Sequence, residues 1–374
     1  MLTSPWLNAK NILVVRLDNL GDVLMLGPAL RAIKEHSPQT RLTLLASPAG
    51  SAGASLLPWI DATLVWRAVW QDAAQGARRM SFEPEREQEL IRHLATLHFD
   101  AALIFTSFSQ TPHAPGYACY LAGIPLRAGE STEFGGSILS DELKGTPIEM
   151  HQVERNLRLV EHLGFAVRDR QLAFTLSDNQ RQTALQHLVR VGIDPRQPFV
   201  LLHPGASAQA RRYPAERFGA VVRLLQQRGW PVLVTGTARE QELLAQVQRV
   251  APTCPFLIGE TTLTEYAALI ERAALVICNN TLPLHLADAF QTPVLALYSG
   301  TDYEEQWQPR ATQARLLRRP TPCHPCFFFE CPLGLPCLDI APEEVVDVAL
   351  AMLAETTSAQ ESSNAYIHLP GGRL

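Results

Sequence analysis

No run of apolar residues in this chain approaches the roughly eighteen needed to cross a bilayer, so no membrane span is predicted. Nor does a secretory leader read out: polar Asn8, Lys10 and Asn11 stand just before a short apolar strand, and the cytoplasm is the expected compartment. Positive charge is not in excess. With 32 Lys and Arg against 37 Asp and Glu, the formal net charge of −5 argues against broad nucleic-acid binding, which wants a basic face. Local basic clusters remain at Arg211-Arg212 and at Arg315 with Arg318-Arg319. No repeat of solenoid period is present. The seven cysteines, in a reducing compartment, are expected to be thiols unless they bind metal.

What the chain does have is size and alternation. Its 374 residues, 47% hydrophobic and 18% charged, suffice for two globular domains, each with a core of its own. Apolar runs at 12–17, 41–46, 64–66 and 101–105 read as strands. Amphipathic stretches at 23–36, 83–97 and 152–163 read as helices among them. A second series follows, with strands at 199–202, 231–235, 256–258, 275–278 and 294–298. Its helices fall at 215–228, 240–250, 264–273 and 284–290. Such alternation predicts parallel sheets covered by helices, an α/β fold. Residues 1–172 are expected to form one Rossmann-like domain and 199–354 the other, with a connection at 173–198 that carries a helix at 180–191. A last helix at 342–353 starts on Pro342-Glu343-Glu344, and the Ser-, Thr- and Gly-rich residues 355–374 are expected to be poorly ordered.

Each half opens on a strand, a loop and a helix. The loops are Leu17-Asp18-Asn19-Leu20-Gly21-Asp22 and His203-Pro204-Gly205-Ala206-Ser207. Loops of this kind present backbone N–H groups and a helix N-terminus, which suit anionic ligands. Two domains facing each other across a cleft, with a nucleotide-sugar site, are the expectation.

The details resemble family 9 glycosyltransferases, the group that contains the lipopolysaccharide heptosyltransferases. Val15-Arg16-Leu17-Asp18-Asn19-Leu20-Gly21-Asp22-Val23 with Gly27-Pro28-Ala29-Leu30 is similar to that family's opening signature. His203–Ser207 with Arg211-Arg212-Tyr213-Pro214 resembles its phosphate loop, and Asn279-Asn280-Thr281-Leu282-Pro283-Leu284-His285-Leu286-Ala287 its late donor motif. Leu121-Ala122-Gly123-Ile124-Pro125 and the cysteine-rich segment 323–337 fit as well. The resemblance implies the two-Rossmann GT-B fold, with acceptor on the N-terminal half and donor on the C-terminal half. It implies inverting transfer of heptose from ADP-heptose to a lipopolysaccharide core or related cell-surface glycan.

Inverting transfer needs one general base to take the acceptor hydroxyl's proton. The resemblance puts it on Asp22, where a helix dipole would favour the carboxylate; from spacing alone Asp22 reads equally as a capping acid. Asp18 is a nearby rival that matches no family acid. The leaving diphosphate needs positive potential. Gly205 and Ser207 offer N–H groups, with the Ser207 hydroxyl added, and Arg211 matches the family's phosphate- or sugar-contacting lysine; a solvated arginine pair is the plainer reading. Glu240 matches a ribose-binding glutamate, with a first-turn helix glutamate as the alternative, and Thr261 stands where the family's backbone meets the adenine edge. Asn280, Thr281, Leu282 and His285 occupy the late donor motif, but the usual Asp-Thr-Gly has become Asn-Thr-Leu. Asparagine still hydrogen-bonds sugar hydroxyls, whereas leucine resists a positive φ and adds bulk, which puts the donor sugar in question. His285 reads as a donor contact or as a buried structural histidine.

Ser107, Gln110 and Gly135 are acceptor-side candidates, on loops that equally suit ordinary structure. Cys323, Cys326, Cys331 and Cys337 are spaced for a structural zinc or iron, or are reduced thiols or disulfides, while Cys119, Cys254 and Cys278 read as core. No cofactor is expected for catalysis. The donor substrate would be an ADP-sugar; the acceptor, a glycolipid or glycan, would place the work at the inner face of the membrane when embedded there. The alternatives are another nucleotide sugar, a protein acceptor, a sugar-nucleotide-binding protein without turnover, or a metal-dependent interaction module.

Overall fold

The structure is a computed structural model that describes residues 4–71, 80–107 and 110–365, with side chains to residue 356. It divides into two compact units, Met1–Thr175 and Leu176–Leu374. The first unit is built on β1 (Asn11–Arg16), β2 (Arg41–Ala46), β3 (Ala62–Val65), β4 (Ala101–Ile104), β5 (Leu126–Glu130) and β6 (Asp141–Leu143). Its helices are α1 (Leu20–Leu24), α2 (Gly27–His36), α3 (Pro84–Thr96), α4 (His113–Leu121) and α5 (Gln152–His162). Strand order is β3-β2-β1-β4-β5-β6, with every neighbouring pair parallel. β1 and β4 are buried on both faces, which is why Ile12-Leu13-Val14-Val15 and Ala101–Ile104 read as unbroken apolar runs.

The second unit repeats this plan with β7 (Val200–His203), β8 (Val232–Gly236), β9 (Phe256–Ile258), β10 (Leu275–Asn279), β11 (Val294–Leu297) and β12 (Ala314–Leu317). The order β12-β11-β10-β7-β8-β9, again all parallel, is the first sheet's order in its own numbering. Around it lie α6 (Asp178–Arg190), α7 (Ala215–Gln227), α8 (Gln241–Val250), α9 (Leu263–Arg272), α10 (Leu282–Phe290), α11 (Glu304–Trp307) and α12 (Pro342–Ala365). Its core joins Val200, Leu202, Ile277 and Leu295 of the sheet to Phe218, Val222 and Leu225 of α7 and to Val345, Ala349 and Met352 of α12.

Two local features depart from the sequence reading. The helix expected over 23–36 is two helices, broken at Met25 and Leu26 ahead of Pro28, which sits in the first turn of α2 where its missing N–H costs nothing. The 173–198 connection contributes α6 to the second unit, where it packs on α9. α12 starts on Pro342 as expected and is helical to Ala365; residues 366–374 lie outside the described ones. Among the described residues, no helix is long and apolar enough to cross a membrane.

Candidate functional site

In open parallel sheets of this order, ligands bind beyond the carboxyl ends of the strands at the switch point, where the chain's crossovers leave in opposite directions. The switch points here fall between β1 and β4 in the first unit and between β7 and β10 in the second. Most of the sequence candidates lie near one or the other; Gly135 and Thr261 do not.

In the first unit, β1 ends on Arg16, a fully buried arginine. Its Nη2 donates to Asp22 Oδ1 at 2.9 Å and to the Ser107 hydroxyl at 2.9 Å, while Nε faces Asp18 Oδ2 at 2.9 Å. Asp22 lies in α1 and its Oδ2 accepts from the Asn19 N–H at 3.1 Å, so the capping role exists alongside any other. Because α1 has only five residues, the cation that faces Asp22 is Arg16 rather than a long helix's dipole. Asp18 is engaged from other sides. Its Oδ1 takes the side-chain amides of Gln71 and Gln110, and its Oδ2 takes Arg16. Burial lifts the Asp18 carboxyl above its ordinary value against the pull of Arg16, with Asp22 adding repulsion. The Ser107 hydroxyl also donates to Asp22 Oδ1, at 3.5 Å, so each acid has two partners on Oδ1 and one on Oδ2; Asp22 is the more exposed of the two, at 13% against 8%.

Ser107 and Gln110 thus join this cluster from the loop after β4; Phe108 and Ser109 between them lie outside the described residues. Gly135 is placed otherwise, in the loop between β5 and β6, where a Cβ would fall 2.0 Å from His113 Nε2.

In the second unit, the β7–β10 register sets His203 beside Cys278, so the next residues, Pro204 and Asn279, are neighbours. Fully buried Asn279 donates to the Pro204 carbonyl at 2.8 Å and accepts from the Tyr213 N–H at 3.0 Å, fastening both ends of the loop 204–213. Arg212 braces its middle through Nε to the Ala206 carbonyl at 2.8 Å. Ser207 is exposed. Gly205 is there for close approach: a Cβ would lie 1.9 Å from Glu240 Oε1. The Glu240 carboxylate is fixed by the Thr237 N–H and hydroxyl, each at 2.8 Å to Oε2, and His203 stands 4.0 Å away. Burial lowers the His203 pKa, partly offset by Glu240.

Neither arginine of the expected solvated pair is free. Arg211 Nη2 reaches Asp302 at 2.8 to 2.9 Å and its Nε donates to the Thr301 hydroxyl at 3.2 Å. Thr301 and Asp302 follow β11, and the same loop's Ser299 donates its N–H and hydroxyl to Asn280 Oδ1 at 3.4 and 3.3 Å. Thr281 is the N-cap of α10 and Leu282 its first residue. Leu282 is not among the residues at positive φ, so leucine is accommodated where strain was expected. Thr261 lies just past β9, beside the Thr262 cap of α9. Sequence reasoning missed Arg16, Asn279, Thr301 and Asp302 as members. The one available signal was Arg16, a charge closing an otherwise apolar strand.

His285, in α10, is buried against Trp307 at 6.4 Å between ring centroids. Burial pushes its pKa down to about 4, with Arg211 adding repulsion, so the ring is neutral at pH 7. The unfolded chain, with an ordinary histidine near 6.5, binds the proton first. His285 therefore supports folding fully above pH 6.5, and that support is lost as pH falls towards 4. Chemical denaturation at pH 7 and pH 5 should show wild type losing about 2 kcal/mol more than His285→Gln over this step. Equal losses in the two proteins would contradict a buried neutral ring.

For Cys323, Cys326, Cys331 and Cys337 the spacing left a metal site, reduced thiols or disulfides open; among the described residues, no group of three or more His, Cys, Asp or Glu side chains is placed to hold a metal ion. Other bonds take the segment. Cys337 is turned into the second unit's core, the Cys326 N–H donates to Gly300, the Cys323 thiol faces Thr321, and Cys331 Sγ accepts from the Leu335 N–H. Burial raises the Cys119 and Cys254 thiols to about 12, in keeping with core roles.

Residues 117–335 match the profile of glycosyltransferase family 9 (heptosyltransferase). Lipopolysaccharide heptosyltransferase 3 of Escherichia coli (strain K12) is 24% identical over 298 residues, 77% of this chain and 82% of that one. The solved structure of E. coli ADP-heptose lipopolysaccharide heptosyltransferase II has a TM-score of 0.70 at 21% identity, covering 92% of this chain and 99% of that one. The family 9 glycosyl transferase from Veillonella parvula DSM 2008 has a TM-score of 0.75 at 21% identity, covering 92% and 98%. Two Rossmann-like units with these neighbours have the GT-B fold. With its profile matched over more than half its length, the chain belongs to glycosyltransferase family 9, the family its motifs resemble.

Proposed function

We propose that this glycosyltransferase moves heptose from ADP-heptose to a lipopolysaccharide core acceptor with inversion, acting in the cytoplasm at the inner face of the membrane. The first unit handles the acceptor and the second the donor. Asp22 takes the proton from the acceptor hydroxyl as that oxygen attacks the anomeric carbon. ADP departs as an anion, met by Arg211, the Ser207 hydroxyl and the backbone N–H groups of the 205–207 loop. Glu240 accepts from the ribose hydroxyls, Thr261 borders the adenine, and Asn280, Thr281 and His285 face the sugar. Ser107 and Gln110, tied to Arg16 and Asp18, shape the acceptor side.

The observation that carries this reading is Asp22's carboxylate at the first switch point: Arg16, Ser107 and Asn19 orient it, only the Asn19 N–H engages its Oδ2, and it is the more exposed of the two acids beside Arg16. The names of the relatives, ADP-heptose and lipopolysaccharide heptosyltransferases, supply the substrate class. Titration calorimetry with ADP, UDP and GDP should give ADP at least tenfold the tightest. Mass spectrometry of a core acceptor incubated with enzyme and ADP-heptose should then show one added heptose. No preference among nucleotides, or no product, would overturn the reading. Asn280, an amide where the family motif has an acid, favours one second reading, a different nucleotide-activated sugar, which the added mass distinguishes.

A further inference from the structure

Asp302 has no role in the scheme above, yet it holds the arginine assigned there to the leaving group. Asp302 is buried, and its two oxygens are shared between Arg211 Nη2 at 2.8 to 2.9 Å and the Thr301 hydroxyl at 2.6 Å. Thr301 in turn meets Ser299 Oγ at 2.9 Å, and Ser299 donates to Asn280. One continuous polar chain therefore runs from the cation beside the 205–207 loop to the amide of the late donor motif. A carboxylate in this position opposes the very ligand the loop suits. A diphosphate cannot take the Nη2–Nε edge of Arg211 while Asp302 occupies Nη2 and the Thr301 hydroxyl occupies Nε.

We infer that Asp302 is a donor-specificity residue that trades places with the diphosphate. It holds Arg211 in the free protein, yields it when a nucleotide sugar binds, and then accepts hydrogen bonds from hydroxyls of the sugar being transferred. Diphosphate oxygens accept the guanidinium fork as well as a carboxylate does and carry more charge, so the exchange has a driving force. Its cost is a buried carboxylate stripped of its cation, which a low-dielectric site penalises heavily. The groups adjoining the diphosphate in a nucleotide sugar are sugar hydroxyls, which are hydrogen-bond donors and can relieve that penalty. A nucleoside diphosphate alone brings none. Asp302 thereby makes the site prefer the intact donor over its spent nucleotide, and after transfer it reclaims Arg211 and speeds release of the product.

This rests on the donor reading above, and the test separates the two. Dissociation constants for ADP and ADP-heptose would be measured on the same preparations of wild type, Asp302→Asn and Asp302→Ser. The ratio of the two constants within one preparation is insensitive to any fraction that fails to fold. In both variants ADP should bind as tightly as in wild type or up to about tenfold tighter, because a competing anion is gone. ADP-heptose should lose its advantage over ADP by about tenfold or more, the worth of charge-assisted hydrogen bonds to hydroxyls. Product inhibition by ADP should rise in step. An unchanged ratio, with both ligands shifted by one factor, would overturn the inference and leave the donor reading standing. Failure of wild type to bind ADP would remove the donor reading and this inference with it.

Discussion

Replacing Asp22 by asparagine should lower kcat about a thousandfold while leaving the fold and the affinity for ADP close to wild type. The substitution is nearly isosteric. The amide oxygen can still accept from Arg16 Nη2, now at 2.9 Å, and little else in the first unit depends on the second oxygen beyond the Asn19 N–H at 3.1 Å. What asparagine cannot do is take a proton. Asp18→Asn is the sharp control, because Asp18 is the other acid beside Arg16 and its oxygens already serve Gln71, Gln110 and Arg16. It should cost stability, through loosened loops and a less balanced buried arginine, and cost kcat less than tenfold. The measurement is initial rate against acceptor concentration for both variants. A kcat for Asp22→Asn above a tenth of wild type, or a larger loss for Asp18→Asn, would move the base elsewhere.

The sheets were legible because their central strands are buried on both faces and so contain little but aliphatic residues. β2 and β9 fall at the expected residues, and β1, β4, β7, β8, β10 and β11 within a residue or two. Two of the elements that did not show, β5 and α4, have different physical reasons. β5 carries Arg127 and Glu130, both buried: the Arg127 guanidinium donates to the carbonyls of Ile124, Pro125 and Ile138, and Glu130 pairs with Arg155 of α5 at 2.8 Å. Read locally, those charges argue against a strand. α4 contains Pro115 and Gly116, which break the helical pattern; Gly116 is needed because a Cβ there would come within 3.0 Å of Ile138 and Leu139.

The site was legible in its loops and illegible in its pairs. Motif order brought out Asp22, in the short helix that follows β1, and Gly205 and Arg211, in the segment that follows β7. Nothing in the spacing says that Arg16 spans Asp18 and Asp22, or that Arg211 is held by an aspartate 91 residues on. Such partners become visible only once parallel strands bring distant loop ends side by side. Of the readings left open for the cysteines, metal binding has no assembled group among the described residues. Their spacing suits a metal, but backbone bonds to Gly300, Thr301 and Ala210 and the burial of Cys337 decide where that segment goes.

Gly205→Ala should weaken ADP binding about 30-fold with little change in thermal stability. The new methyl would lie 1.9 Å from Glu240 Oε1 and 2.5 Å from its Cδ, so something must move. The atoms in the way belong to the end of a flexible side chain, and glutamate can swing aside at low cost to the fold. The swing breaks the two 2.8 Å bonds from Thr237 and takes the carboxylate from its seat beside His203. If Glu240 grips the ribose, binding loses charge-assisted hydrogen bonds, each worth about 1.5–3 kcal/mol, and the methyl also crowds the backbone N–H groups offered to phosphate. The two contributions separate in a double-mutant cycle with Glu240→Gln. Should Gly205→Ala act through Glu240, its effect on the ADP dissociation constant shrinks to a few-fold in the Glu240→Gln background. Should it act on the phosphate, the 30-fold loss persists in that background, and adenosine, which has no phosphate, binds both proteins alike. Wild-type ADP affinity in Gly205→Ala would refute both and take the 205–207 loop out of the donor site.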